Sequence, residues 1–186
     1  MQHYLRLVCN KKIIFWIALA LFSIFLACLS TNYDYDLFAR LIVGERFIEQ
    51  GILPFKDFLS YTPTHPWYDH EWGSGVVFYV ILKYFKAGGL LFFHAAMLFL
   101  TSIFIVKIQR LKKHAYPSLL LFMAVFLAFY MRLNPVITRC QLFSFVFFSI
   151  FLYILEATRV KKATKLIWLL PFITIIWNNL HGGVVS

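Results

Sequence analysis

Five long stretches without a single Asp, Glu, Lys or Arg divide this chain: Ile13 to Tyr33, Ala87 to Val106, His114 to Met131, Cys140 to Leu155 and Leu166 to Ser186. They run 21, 20, 18, 16 and 21 residues. A bilayer core takes about 20 helical residues, with roughly 17–25 the usual range. Four stretches match a crossing outright, and the fourth does so by extending past Glu156, to about residues 140–157. In lipid no water relieves backbone N–H and C=O groups, so each stretch is expected to be helical despite its many β-branched and aromatic residues. Composition agrees. With 61% hydrophobic and 14% charged residues, the chain has too little polar surface to cover a water-soluble body. The expected fold class is all-α: a polytopic helical membrane protein, one transmembrane domain of about five membrane spans.

The charges between the stretches set the orientation. Arg6, Lys11 and Lys12 precede the first; Lys107, Arg110, Lys112 and Lys113 follow the second; Arg159, Lys161, Lys162 and Lys165 lie between the fourth and fifth. If each stretch crosses once, all these cations share one face, which the positive-inside rule makes cytoplasmic, with the amino terminus. The net charge of +10 is thereby a matter of topology, and nucleic acid is not an expected partner. Seven of the eight acids fall in residues 34–86, on the external side. A further crossing over Trp72 to Leu82 is rejected, because it is too short and would turn the Lys107–Lys113 cluster outward. The first stretch exceeds the 7–15 apolar residues of a usual signal-peptide core and is read as an anchor. Cys9, Cys28 and Cys140 are scattered, offer no zinc-ligand spacing and are read as apolar fillers.

Within the external loop, Leu37, Phe38, Leu41, Ile42 and Ile48 form an apolar stripe, so Asp36 to Gln50 is expected to be a surface helix stopped by Gly51. A second surface helix is expected from about Glu71 to Ala87, with Val76, Val77, Val80 and Tyr84 at helical spacing. Gly88-Gly89 would end it and turn the chain inward. Pro54, Pro63 and Pro66 keep the segment between them irregular.

Two constellations in this loop carry possible chemistry. Asp34 and Asp36 can converge on Mg²⁺ or Mn²⁺, or one can act as a base whose pKa the other raises. The structural alternative is a helix cap. Asp69, His70 and Glu71 offer two carboxylates and an imidazole, with the alternative of cap, loop hydrogen bond and first-turn acid. Arg132 and Arg139 border the turn between the third and fourth spans, with snorkelling to headgroups as their plain reading. Asn178, Asn179 and His181 sit high on the fifth span, where polar groups face protein or a wet cavity; the alternative is interhelical hydrogen bonding. Carboxylates above and arginines below suit a phosphate-bearing lipid, with Arg139 gripping the phosphate through paired N–H donors.

The order of these residues resembles a known family. Asp34-x-Asp36-Leu37-Phe38, Gly44-x-x-Phe47-Ile48-x-x-Gly51, Asp57-Phe58-x-Ser60-Tyr61-Thr62 and His70-Glu71-Trp72 resemble the first external loop of bacterial GT-C type integral membrane glycosyltransferases. Arg139-x-Gln141-Leu142-Phe143 and Trp177-x-Asn179-Leu180-His181-Gly182-Gly183 resemble later motifs of the same proteins. The resemblance implies transfer of a sugar from a polyprenyl-phosphate-linked donor to a glycan, lipid or protein acceptor at the outer face of a bacterial inner membrane. It implies Asp36 as base or metal ligand with Asp34 as partner, and Asp69, His70, Glu71, Arg139, Gln141, Asn179 and His181 as substrate-binding residues. Mg²⁺ or Mn²⁺ at Asp34 and Asp36 is the cofactor it suggests. Members of that family are longer, so the 186 residues are expected to be an amino-terminal portion or a truncated gene product, and turnover by these residues alone is not expected. The alternative is a non-catalytic polytopic protein, an assembly subunit or transporter component.

Overall fold

A computed structural model describes residues 2–29, 35–52, 61, 69–112, 138–162 and 164–182. The third uncharged stretch, Asp34, Asp57, Arg132 and the loop prolines lie outside the described residues. What is described is all-α, as expected, with no strand among those residues. Five α-helices follow in order: α1 (Gln2–Leu29), α2 (Tyr35–Gln50), α3 (Trp72–Leu111), α4 (Gln141–Lys161) and α5 (Leu170–Leu180), the last preceded by a 3₁₀ turn at Thr164–Leu169. Three helical segments are long and apolar enough to cross a membrane: Asn10–Leu29, Trp72–Leu111 and Gln141–Lys161. Ile13, Ile14, Ile17, Leu21, Ile24 and Phe25 of α1 are all exposed, an apolar face that suits lipid and not water. The chain is a membrane protein in this sense.

The first expected surface helix is present as α2. Gly51 stops it at φ +66°, its N–H donating to the Phe47 carbonyl at 3.1 Å, a left-handed terminus that glycine adopts without a Cβ penalty. The packed face differs from the apolar stripe read in the sequence. Leu37, Arg40, Val43 and Gly44 are buried, whereas Phe38, Ile42 and Ile48 stay exposed. Glycine decides which face packs. A Cβ on Gly44 would lie 2.1 Å from the Gly75 carbonyl oxygen, and one on Gly75 would lie 2.4 Å from the Arg40 carbonyl oxygen. Only two glycines let the α2 and α3 backbones approach this closely, and the helix face that carries them turns inward.

The second expected surface helix and the second span form one element, α3, broken within. The break falls at Lys86 (φ 58°, ψ −161°), not at Gly88-Gly89, where the sequence reading put it. Gly89 still matters to the elbow, because a Cβ there would lie 2.4 Å from the Phe85 Cβ. Residues 72–85 make about 21 Å of helix, short of a bilayer core, while 87–111 make about 37 Å. The lysine backbone sits in a region that L-residues rarely occupy, a conformation that costs about 1–3 kcal/mol and is held by the packing on both sides.

The last stretch is also shorter than expected. Pro171 in the first turn starts α5 after the 3₁₀ segment, and the helix ends at Leu180; His181 is extended (φ −159°, ψ 127°). His181 therefore leaves the helix axis and turns toward its neighbours.

α3 is the hub, packing against α1, α2, α4 and α5. One cluster joins Leu19 and Leu26 of α1 to Leu98 and Val106 of α3 and Leu142 of α4. A second joins Leu37, Phe78, Leu90 and Phe143, with Leu180 of α5 against it. At its centre the rings of Phe78, Phe93 and Phe143 meet with centroids 5.5–5.8 Å apart. With Leu37 and Leu180 around these rings, the cluster packs α2, α3, α4 and α5 against one another. The residues one to three positions from Leu37, Phe143 and Leu180 (Asp36, Cys140 and His181) belong to the site above it.

Candidate functional site

The start of α2, the loop entering α3, the start of α4 and the end of α5 meet at one end of the bundle. Asp36 stands in the first turn of α2, and Arg40 one turn later points inward between acids from both elements. Arg40 pairs through Nη1 with the Asp69 carboxylate, lies 3.6 Å (Nε) from Asp36 Oδ1 and 3.9 Å (Nη1) from Glu71 Oε2. Asp69 is nearly sealed, its side chain 2% exposed, and its Oδ1 also accepts the Glu71 N–H at 2.8 Å. Its other oxygen, Oδ2, is buried without a hydrogen-bond partner among the described residues. Glu71 is the N-cap residue of α3 and accepts from three sides. The Cys140 thiol reaches Oε2 at 3.2 Å, the Gly182 N–H reaches Oε1 at 3.3 Å, and His181 Nε2 lies 3.5 Å from Oε1.

His181 is oriented from behind. Trp177 Nε1–H donates to Ser144 Oγ at 2.6 Å, and Ser144 Oγ contacts His181 Nδ1 at 2.5 Å. With its oxygen accepting from the indole, the serine hydroxyl is free to donate to Nδ1. That assignment leaves the Nε2–H of a neutral imidazole facing Glu71. Gly182 follows in close contact with His70, where a Cβ would lie 2.4 Å from the imidazole Cδ2. Asn179 Oδ1 accepts from Trp72 Nε1 at 2.9 Å, tying α5 to the start of α3.

The structure thus brings together Asp36, Asp69, His70, Glu71 and His181 from three separate segments, with Asn179 beside them as an interhelical tie. Gln141 opens α4, and its Oε1 is buried without a hydrogen-bond partner among the described residues. Arg139 is half-buried immediately before α4, its carbonyl accepting the Leu142 N–H at 3.1 Å. Asn178 is exposed. Asp34, the proposed second metal ligand, lies outside the described residues.

Three members were not anticipated. Cys140, read in the sequence as an apolar filler, is buried with its thiol 3.2 Å from Glu71 and 3.8 Å from Asp36 Oδ2. That reading is corrected: a long-range fold contact, invisible in local spacing, makes the thiol a polar partner. Ser144 carried no motif signal. Arg40 carried one, because it falls on the same helical face as Leu37 and Gly44, and a charge on a packing face needs a partner.

Electrostatically, three carboxylates surround one guanidinium, and the positive ends of α3 and α4 both point at them. The acids differ in access. Asp36 retains a 41% exposed side chain, against 2% for Asp69 and 11% for Glu71. Asp36 is the group able to meet an incoming hydroxyl or cation, whereas Asp69 anchors Arg40 and Glu71 collects donors. For a cation there are two donor sets of different chemistry. Asp36 offers only oxygen, which suits Mg²⁺ or Mn²⁺. Glu71, Cys140 and His181 bring O, S and N atoms within 4.8 Å of one another, a mixed set of softer character that hydrogen bonds already hold together. Set against known proteins, the chain matches no family model, no curated protein and no solved structure.

Proposed function

We propose that this chain is a GT-C type membrane glycosyltransferase, or the amino-terminal portion of one, that uses a polyprenyl-phosphate-linked sugar. The observation that carries the reading is the convergence of Asp36, Asp69, His70, Glu71 and His181, far apart in sequence, around Arg40 at one end of a helical membrane bundle, with Asp36 alone among the three carboxylates well exposed. Asp36 takes the proton of the acceptor hydroxyl as that oxygen attacks the anomeric carbon, and the phosphate of the donor departs. The ion pair with Arg40 aims the Asp36 carboxylate. Arg139 offers paired N–H donors to the phosphate. A Mg²⁺ or Mn²⁺ held by the oxygens of Asp36, together with Asp34, would offset charge on the leaving phosphate.

In this reading the amino terminus is cytoplasmic and residues 34–86 lie on the outer face of a bacterial inner membrane. Support comes from the contacts that gather the cations at the far end: Arg110 lies over the Trp16 ring near Lys11 and Lys12, and Lys112 reaches Glu156 of α4 at 3.0 Å. The α2 helix and residues 72–85 rest on the membrane surface, with Phe38, Ile42 and Ile48 dipping into it.

Asp36→Asn, in the longest reading frame that contains this chain, should abolish transfer from a labelled polyprenyl-phosphate sugar while leaving membrane insertion unchanged. Undiminished turnover in that variant would refute Asp36 as the base. The buried Arg40 network also suits a non-catalytic assembly subunit, for which no carboxylate-dependent binding of the labelled donor is expected.

A further inference from the structure

At the end of the bundle opposite the carboxylates, Lys107, Arg110 and Leu111 of α3 and Tyr153, Val160 and Lys161 of α4 line a cavity of about 360 Å³. That volume is within the range of about 300–1,000 Å³ usual for small-ligand sites. Three of the six lining residues are cations. Glu156, the acid on this end among the described residues, is already engaged: it accepts from Lys112 at 3.0 Å and from Arg159 at 2.9 Å. Neither Lys107 nor Lys161 has a carboxylate within 4 Å among the described residues. Lys107 Nζ rests instead over aromatic rings, 4.9 Å from the Phe104 centroid and 5.8 Å from that of Tyr153, and the Arg110 guanidinium lies 5.3 Å from the Trp16 ring. The rings hold the Lys107 head in place without neutralising it. Uncompensated positive charge around a cavity with apolar walls fits a ligand that is anionic at one end and greasy beside it.

We infer that this cavity binds the phosphate headgroup of an anionic glycerophospholipid, with Lys107 and Lys161 on the phosphate and Leu111, Tyr153 and Val160 against the glycerol and first acyl carbons. The lipid, and not a soluble phosphate, is the occupant that uses both the cations and the apolar wall, and the cavity opens between two helices apolar enough to lie in a bilayer. Basic clefts between membrane helices favour such headgroups for the same reason. The inference depends on membrane insertion alone and stands apart from the glycosyltransferase reading.

Native mass spectrometry of the detergent-solubilised chain, titrated with phosphatidylglycerol or phosphatidylcholine, tests it. The unmodified protein should retain phosphatidylglycerol in preference to phosphatidylcholine. K107Q/K161Q should weaken the phosphatidylglycerol adduct by roughly tenfold or more, the loss expected for two headgroup-facing cations. K107R/K161R should keep the adduct, and binding of phosphatidylcholine should not change. If the double Gln variant loses its helical circular dichroism, K161Q alone, altered at an exposed helix end, carries the same comparison. Equal retention of the two lipids by the unmodified protein, or a Gln variant as retentive as the original, overturns the inference. So does displacement of phosphatidylglycerol by inorganic phosphate, which would make the site one for a soluble anion.

Discussion

At one end of the bundle Asp36, Asp69 and Glu71 gather around the guanidinium of Arg40; at the other, Lys107, Arg110, Lys112, Arg159 and Lys161 gather near the carboxylate of Glu156. The two arrangements are near mirror images in charge, yet they differ in burial. The Arg40 side chain is 10% exposed and its Asp69 partner 2%, whereas Arg159 is 70% exposed beside Glu156. Charges taken out of water must be matched closely, so the acidic end is built of fixed distances and ties four helix ends together. Charges left near water need no such match, and the basic end keeps unneutralised lysines facing a cavity. One end is organised by burial, the other by repulsion-tolerant exposure.

The sharpest way to break this contrast is to remove one partner at each end. Arg40→Ala leaves Asp69 buried and uncompensated, and loss of half a buried pair costs about 3–5 kcal/mol. The purified membrane protein should show a large fall in thermal midpoint. Lys112→Gln at the basic end should leave the midpoint nearly unchanged, because Arg159 still serves Glu156. Equal effects from the two variants would show that the acidic end is not organised by burial.

A smaller effect sharpens the same point through the backbone. Gly44→Ala would set a Cβ 2.1 Å from the Gly75 carbonyl oxygen, and the two helix backbones have no flexible side-chain end to give way. Overpacking of this kind costs about 1–3 kcal/mol. Because Arg40 is one turn from Gly44, pushing α2 outward also draws the guanidinium from Asp69. Helical content should persist, while the midpoint falls and thiol reagents reach the buried Cys140 faster than in the unmodified protein. An Ala variant as stable and as protected as the original would remove the close approach as the device that seats Arg40.

The two ends also differ in how far they could be read from the sequence. The basic end was legible because positive charge clusters within a few residues of each span, and local order along the chain is enough to place it. The helices α2 and the first half of α3 were legible from apolar periodicity and from Gly51. The inward face of α2 was not: hydrophobicity favours Phe38, Ile42 and Ile48, but Gly44 and Gly75 let the other face come closer, and contact distance outweighed apolar area. The elbow at Lys86 was misplaced by two residues, since Gly88-Gly89 has the conformational freedom but Gly89 is used for close contact with Phe85. Asp36, Asp69, His70, Glu71 and His181 could be nominated individually by residue type. Cys140 and Ser144 could not, because their partners are 33 to 104 residues away and only the Phe78–Phe93–Phe143 wedge brings them into range.

An exposed ion pair of the acidic loop separates exposure from location as the cause of the contrast. Glu49 near the end of α2 meets Lys83 Nζ at 2.5 Å and the Tyr79 hydroxyl at 2.9 Å, with Glu49 and Lys83 exposed. The hydrogen bond from Lys83, followed by that from Tyr79, holds the Glu49 carboxyl below its ordinary range. A carboxyl with a lowered folded-state pKa contributes stability above its unfolded value, and that contribution disappears as the pH falls through the folded value. The tether of α2 to α3 should therefore hold at neutral pH and loosen as the pH falls through the lowered carboxyl value. Being exposed, it is screened by salt. Glu49→Gln should flatten the acid limb of the stability profile only slightly, and high salt should remove most of the difference. A Glu49→Gln effect as large and as salt-resistant as that of Arg40→Ala would mean that position at the acidic end, and not burial, sets how strongly these charges hold the helices.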